Sequence, residues 1–201
     1  MLADPEDAPG YPQRFPFLEV LPAVLAPAGT LIVAEPTLHR IAHELWAATY
    51  PEDWNVLSRQ ALPFRRHIQA VLPLLEAAGR VHYMGDLLPR SLLTYAAYRQ
   101  GGIDAEPHET AIAVSYRGIS DDWLDALGDN LIQEQLVGRT RHRNEVTEYL
   151  HSTGIDWNST LGPRCYDLFF NQGLSLTLYQ AQRWLHNVSD HGRGLWNGLF
   201  L

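Results

Sequence analysis

Two carboxylates in this 201-residue chain stand where a sheet would present them for chemistry. Glu35 follows the apolar run Leu31-Ile32-Val33-Ala34, and Asp86 follows Val81-His82-Tyr83-Met84-Gly85. Each run reads as a short buried parallel strand, and in open α/β sheets sites form beyond the carboxyl ends of the strands. A carboxylate at each of two neighbouring strand tips can hold a hard divalent cation through oxygen ligands. A bound Mg²⁺ would polarise a phosphodiester and lower the pKa of a water. The same two acids also suit the plainer role of polar residues that open loops.

Other residues extend or rival this pair. Asp121 and Asp122 follow the next predicted strand and are candidates to approach the same cation. They equally suit the first turn of a helix, where acids complement the dipole. Glu134 is a further candidate, explained as well by a solvated helix face. Arg139, Arg141 and Arg143 form the densest basic run, and arginine forks bind phosphate. Glu145 and Glu148 follow that run and offer local ion pairs instead, and Arg65-Arg66-His67 is a weaker basic start to another helix. His186, Asp190 and His191 are transition-metal ligand types, but without helical spacing, as in an exposed loop. Ser91, Ser115 and Cys165 are potential nucleophiles, yet none lies in Gly-x-Ser-x-Gly and none has an assignable base. Trp46, Trp123 and Trp184 fall at helical positions and read as core. Trp157 and Trp196 lie near polar residues or glycines, where stacking on a base or a partner is open, and core or interface packing is the plainer reading.

The elements that must position these groups follow from apolar spacing. Residues 1–28 read as an irregular arm, since six of the chain's 13 prolines lie within residues 1–27. From Thr30 the pattern alternates strand and helix. Thr37 can cap a helix carrying Leu38, Ile41, Ala42 and Leu45, and Asn55–Ser58 is a weak strand. Phe64, Ile68, Leu72 and Leu75 mark a helix stopped at Gly79, with Pro73 expected to kink it. Val81–Met84 is a third strand. Pro89 suits the first turn of a helix running to Tyr98, and Gly101-Gly102 ends it. Thr110–Tyr116 is a fourth strand. Ser120 then caps a helix lined by Leu124, Leu127 and Leu131, with further helices expected over 141–150 and 174–186. This predicts an α/β fold, a parallel sheet flanked by helices over residues 29–136, and a mostly helical extension over 137–201.

Composition excludes several functions. Apolar residues are 46% of the chain and charged residues 19%, a globular balance. All 15 bases are arginine, so the chain holds no lysine for a Schiff base or a Walker A loop. The formal charge of -8 opposes a generic nucleic-acid coat, though not a local arginine patch. The single cysteine, Cys165, excludes an internal disulfide framework and a cysteine zinc site. No stretch approaches the roughly 20 apolar residues of a membrane span. The acidic, proline-bearing start is no secretory signal, so a cytoplasmic location without membrane partners is expected. A methyltransferase reading of Leu21–Val33 fails because only about twenty residues precede it, too few for the glycine-rich cofactor loop.

The order and context of the acids resemble a known family. Val33-Ala34-Glu35-Pro36, two intervening helices and a weak strand, then Val81-His82-Tyr83-Met84-Gly85-Asp86-Leu87-Leu88-Pro89-Arg90, are similar to the toprim domain. The resemblance is nearest to toprim domains of type IIB topoisomerase A subunits and of the JetD nuclease subunit of the Wadjet plasmid-defence system, and covers about residues 18–136. Those domains read roughly Val-Glu-Asn at the first strand and Tyr-Trp-Gly-Asp-x-Asp-x-x-Gly at the third. It implies Mg²⁺ held by Glu35 and Asp86, DNA as substrate, partner protein subunits, and a place in DNA processing or plasmid and phage defence. The family's second aspartate falls on Leu88, which cannot ligate a metal, and its glycine falls near Ser91. Either Asp121, Asp122 or Glu134 substitutes, or the domain is a binding or assembly module that no longer cleaves. An unrelated small-molecule enzyme on a doubly wound sheet is the remaining alternative.

Overall fold

The computed structural model describes residues 30–34, 54–58, 62–78, 80–105, 112–127 and 143–177. Four strands, β1 (Thr30–Ala34), β2 (Trp54–Ser58), β3 (Arg80–Met84) and β4 (Val114–Tyr116), form one parallel sheet in the order β2-β1-β3-β4. The register sets Ala34 against both Ser58 and Met84, and Tyr83 against Tyr116. The sheet grows from β1 to β2, crosses back over β1 to β3, and continues to β4. The growth direction therefore reverses between β1 and β3, and such a reversal opens a crevice at the carboxyl ends of the two strands.

Local sequence explains the elements around this reversal. Helix α1 (Arg65–Ala77) buries Ile68, Val71 and Leu75 at helical spacing and leaves Arg65, Arg66, Gln69 and Ala70 exposed. Pro73 lies inside α1 on the exposed side, where water can serve the carbonyl that loses its partner. No acid of its own stands in the first turn of α1. Asp104, arriving from the loop after the next helix, accepts the Arg65 N–H at 2.5 Å and completes that helix start.

Helix α2 (Pro89–Gln100) begins at Pro89 and ends where Gly101, in the left-handed region at φ 84°, donates its N–H to the Ala97 carbonyl. Ser91, Leu92, Thr94, Tyr95, Ala96, Ala97 and Tyr98 are all buried, so α2 is covered on more than one side. Its Tyr95 and Tyr98 rings meet Tyr83 of β3 at 5.7 and 6.4 Å. On another side it meets α4 (Arg143–Ser152), where the Tyr149 hydroxyl donates to Gln100 at 3.2 Å.

After β4, α3 (Asp121–Leu127) buries Trp123 and Leu124. Two short helices follow α4: α5 (Trp157–Leu161), capped by the Asp156 carboxylate on the Ser159 N–H at 3.0 Å, and α6 (Pro163–Tyr166). Hydrogen bonds from the Ser159 N–H and hydroxyl hold Asp156 below the ordinary carboxylate range. A π-helical turn, Asp167–Gln172, ends at Gly173 in the left-handed region. The helix expected from Leu174 does not begin there. Gly173 terminates the helical run, and Leu176 instead forms an antiparallel bridge with Leu87. One hydrophobic cluster takes Val81 and Tyr83 from the sheet, Leu92 and Tyr95 from α2, and Leu150, Trp157, Phe169 and Leu176 from beyond residue 142. The fold is thus mixed α/β with a parallel sheet, and its helical part shares the core of the sheet.

Candidate functional site at the sheet reversal

The loop Gly85-Asp86-Leu87-Leu88 leaves β3 at the reversal point, and the backbone bonds that follow hold it closely. Hydrogen bonding between β3 and β4 extends past the strands: Arg117 N–H donates to the Tyr83 carbonyl at 2.8 Å, and Ile119 N–H to the Gly85 carbonyl at 3.2 Å. The Tyr116 hydroxyl also donates to the Gly85 carbonyl, at 3.4 Å. Asp86 N–H donates to Ser91 Oγ at 2.9 Å. Leu87, fully buried, exchanges two backbone bonds with Leu176 at 2.9 and 3.2 Å. Leu88 is half-buried and sits at the start of α2, where its carbonyl accepts the Leu92 N–H at 3.0 Å.

Asp86 is half-buried at this edge. Its charge reaches Tyr116, whose hydroxyl is pushed well above its ordinary pKa by burial first, then by Tyr83, Cys165 and Asp86. A carboxylate oxygen is the donor type Mg²⁺ takes, and Mg²⁺ keeps several waters when few protein ligands are present. Asp86 therefore fits the cation in kind. Glu35 lies outside the described residues. The last described residue of β1, Ala34, pairs with Met84, two residues before Asp86.

The other candidate acids have different settings. Asp121 accepts the Arg164 N–H at 3.1 Å and the Cys165 N–H at 2.7 Å, one on each carboxylate oxygen. It thereby fastens α3 to the start of α6. Asp122 is exposed on an open cleft of about 200 Å³, whose lining includes Arg117, Ser120, Ser159 and Thr160. Among the described residues, no group of three or more histidine, cysteine, aspartate or glutamate side chains is gathered to hold a metal. Asp121→Ala strips two amides of their acceptor and is expected to cost about 1–3 kcal/mol of stability. Urea unfolding with and without Mg²⁺ checks this. An equal loss in both conditions supports the tether, and a loss appearing only with Mg²⁺ would sink it.

The basic run and the nucleophile candidates resolve in part. Arg139 and Arg141 lie outside the described residues, as do Glu134, His186, Asp190 and His191. Arg143 opens α4. Ser91 is fully buried and its hydroxyl is committed within the core. Cys165 is also fully buried, and burial, followed by the neighbouring Asp121 carboxylate, pushes its thiol far above the ordinary range. Neither presents a nucleophile to solvent. Ser115 is exposed and stands in register with His82. Burial, then Arg117 and Arg80, lower the His82 pKa, and its buried Nδ1 has no hydrogen-bond partner among the described residues. Among the described residues, no hydrogen bond to that Nδ1 orients the imidazole as a base for Ser115. Trp157 is 2% exposed and belongs to the core, so it offers no stacking platform.

Sequence reasoning did not find Ser91 as the acceptor for Asp86, nor His82 as the register partner of Ser115. A small hydroxyl residue in the first turn of the helix after Gly-Asp was the available signal for Ser91. No local signal marks His82, because register is a property of strand pairing.

No family model and no curated protein sequence matches the chain. No helix among the described residues is long and apolar enough to cross a membrane.

Proposed function

We propose that the loop after β3 is the working edge of a toprim-like domain in a DNA-processing or defence complex, with Glu35 and Asp86 as the ligands of a divalent cation. The observation that carries this reading is the strand order. It sets the end of β1 beside β3 at the reversal of the sheet, where the Asp86 loop is held. When bound, Mg²⁺ would supply Lewis acidity toward a phosphodiester. The residues of the chain would bind that cation by carboxylate oxygen and hold the loop in one conformation. Without lysine, any side-chain cation that meets phosphate is arginine or histidine.

The test is conversion of supercoiled plasmid to nicked or linear forms by the full chain, with and without Mg²⁺. Cleavage is expected to require Mg²⁺. Glu35→Ala and Asp86→Ala are each expected to lower it at least about a hundredfold, equivalent to roughly 3 kcal/mol of transition-state stabilisation. Activity indifferent to both substitutions sinks the assignment.

A second reading, a non-cleaving assembly module, is favoured by Leu88. An apolar side chain there cannot supply a second acid, and its neighbour Leu87 is committed to Leu176. Calorimetric binding of Mg²⁺ that disappears in Asp86→Ala contradicts a purely structural version of this reading.

A further inference from the structure

Backbone bonds on both sides of Asp86 hold the loop after β3: the Gly85 carbonyl takes the Ile119 N–H, and Leu87 exchanges both its groups with Leu176. The Asp86 amide is held differently, by the side chain of Ser91. Ser91 is 0% exposed, so no bulk water replaces its hydroxyl if it is removed. Its place is set by α2, which begins two residues earlier at Pro89, rather than by the loop it supports. The fit is close, since a Cβ on Gly85 would stand 2.7 Å from Ser91 Oγ.

We infer that Ser91 is a positioning residue for Asp86: its buried hydroxyl fixes the Asp86 peptide and so the direction from which the carboxylate meets a divalent cation. This rests on the reading of Asp86 as a cation ligand. The physical link is short. Fixing the Asp86 N–H fixes its peptide plane and so the N–Cα axis, leaving the φ torsion to set the Cα–Cβ direction, and the Leu87–Leu176 bonds that follow restrict that torsion. Groups that orient a metal ligand without touching the metal typically control affinity 10–100-fold. The acceptor here acts on the main chain of the ligand rather than on its carboxylate, so the lower end of that range applies.

The experiment uses the full chain and two readouts: amide hydrogen exchange by NMR, comparing Asp86 with Leu87, and Mg²⁺ affinity by calorimetry. Ser91→Ala is expected to speed Asp86 exchange about a hundredfold while Leu87, bonded to Leu176, stays protected. The Mg²⁺ Kd is expected to weaken about tenfold. Thr94→Val removes another buried hydroxyl from α2, one that donates to the Arg90 carbonyl at 2.9 Å, and is expected to change neither readout by more than about threefold. Leu87 protection reports that each variant is folded. If it is lost in Ser91→Ala, Ser91→Cys, which keeps the volume and a weak acceptor, is expected to show smaller shifts in the same direction. Unchanged Asp86 exchange in the folded Ser91 variants overturns the inference. So does wild-type Mg²⁺ affinity despite faster Asp86 exchange. A wild-type chain that binds no Mg²⁺ overturns the reading of the site itself, and is recognised because it precedes any effect of Ser91.

Discussion

Trp157→Ala is expected to lower the stability of the chain by about 3–5 kcal/mol, the usual cost of removing a buried tryptophan. The indole is 2% exposed and ties three elements together. Its ring meets Tyr95 of α2 edge-on at 5.9 Å and 70°, and lies 6.1 Å from Phe170. Its Nε1–H donates to the Leu150 carbonyl near the end of α4 at 2.8 Å. Alanine leaves a cavity between α2, α4 and α5 that these helices cannot close without giving up their contacts with the sheet. A domain of this size has only about 5–15 kcal/mol in total, so a large part of the population is expected to unfold near the physiological range.

Trp157→Phe separates packing from hydrogen bonding. The Leu150 carbonyl also accepts from Thr153 N–H at 3.3 Å and Thr153 Oγ at 2.6 Å, so it keeps partners when the indole N–H is lost. Phenylalanine is therefore expected to cost about 1.5 kcal/mol or less. Urea unfolding followed by far-ultraviolet circular dichroism checks both variants. An alanine variant within about 1 kcal/mol of wild type would remove Trp157 from the centre of the core.

The second large effect is expected at Gly118. A Cβ there would run into the Gly85 carbonyl oxygen and stand 2.5 Å from the Tyr116 Cζ. The Gly85 oxygen is main chain, and it accepts the Ile119 N–H and the Tyr116 hydroxyl. It cannot swing aside without releasing the joint between the loops after β3 and β4. Gly118→Ala is expected to cost about 2–3 kcal/mol, in the overpacking range, and to displace the Asp86 loop. Gly154→Ala is the comparison. Nothing lies within 4 Å of its Cβ position, and only the left-handed backbone at φ 69° opposes it, a cost of about 1 kcal/mol. The measurable order is Gly118→Ala well below Gly154→Ala in denaturation midpoint. The reverse order would mean that the two loops part easily and do not hold Asp86.

Both predictions concern contacts that run between distant parts of the chain, and this is where legibility in the sequence changes. Three strands were readable: the one expected at 31–34 is β1, the weak one at 55–58 is β2 and the one at 81–84 is β3, each with one residue added. Of the strand expected over 110–116, residues 112 and 113 are not strand and β4 is only Val114–Tyr116. The start of α2 at Pro89 and its end at Gly101 were readable too, because proline and glycine act on their own backbone. The expected helix from Leu174 fails at its described end. Apolar spacing alone cannot register that Leu176 has a strand partner 89 positions earlier. Asp121 was legible as an acid at a helix start, but its two amide donors come from residues 43 and 44 positions away. Core or interface packing was the plainer reading of Trp157, but its polar sequence neighbours did not show that the partner is Tyr95.

By itself the sequence determined where β1, β2, β3, α1 and α2 lie, that no lysine chemistry is available, and that Asp86 follows a strand. Those properties depend on residue type and on neighbours within a few positions, where side-chain period and backbone torsion act directly. Only the tertiary structure decided that β1 lies beside β3, that Ser91 holds the Asp86 amide, and that Asp121 serves the start of α6. Strand pairing uses main-chain groups common to almost every residue, so its order is chosen by the packing of the whole core. The partner of each polar group follows from that choice.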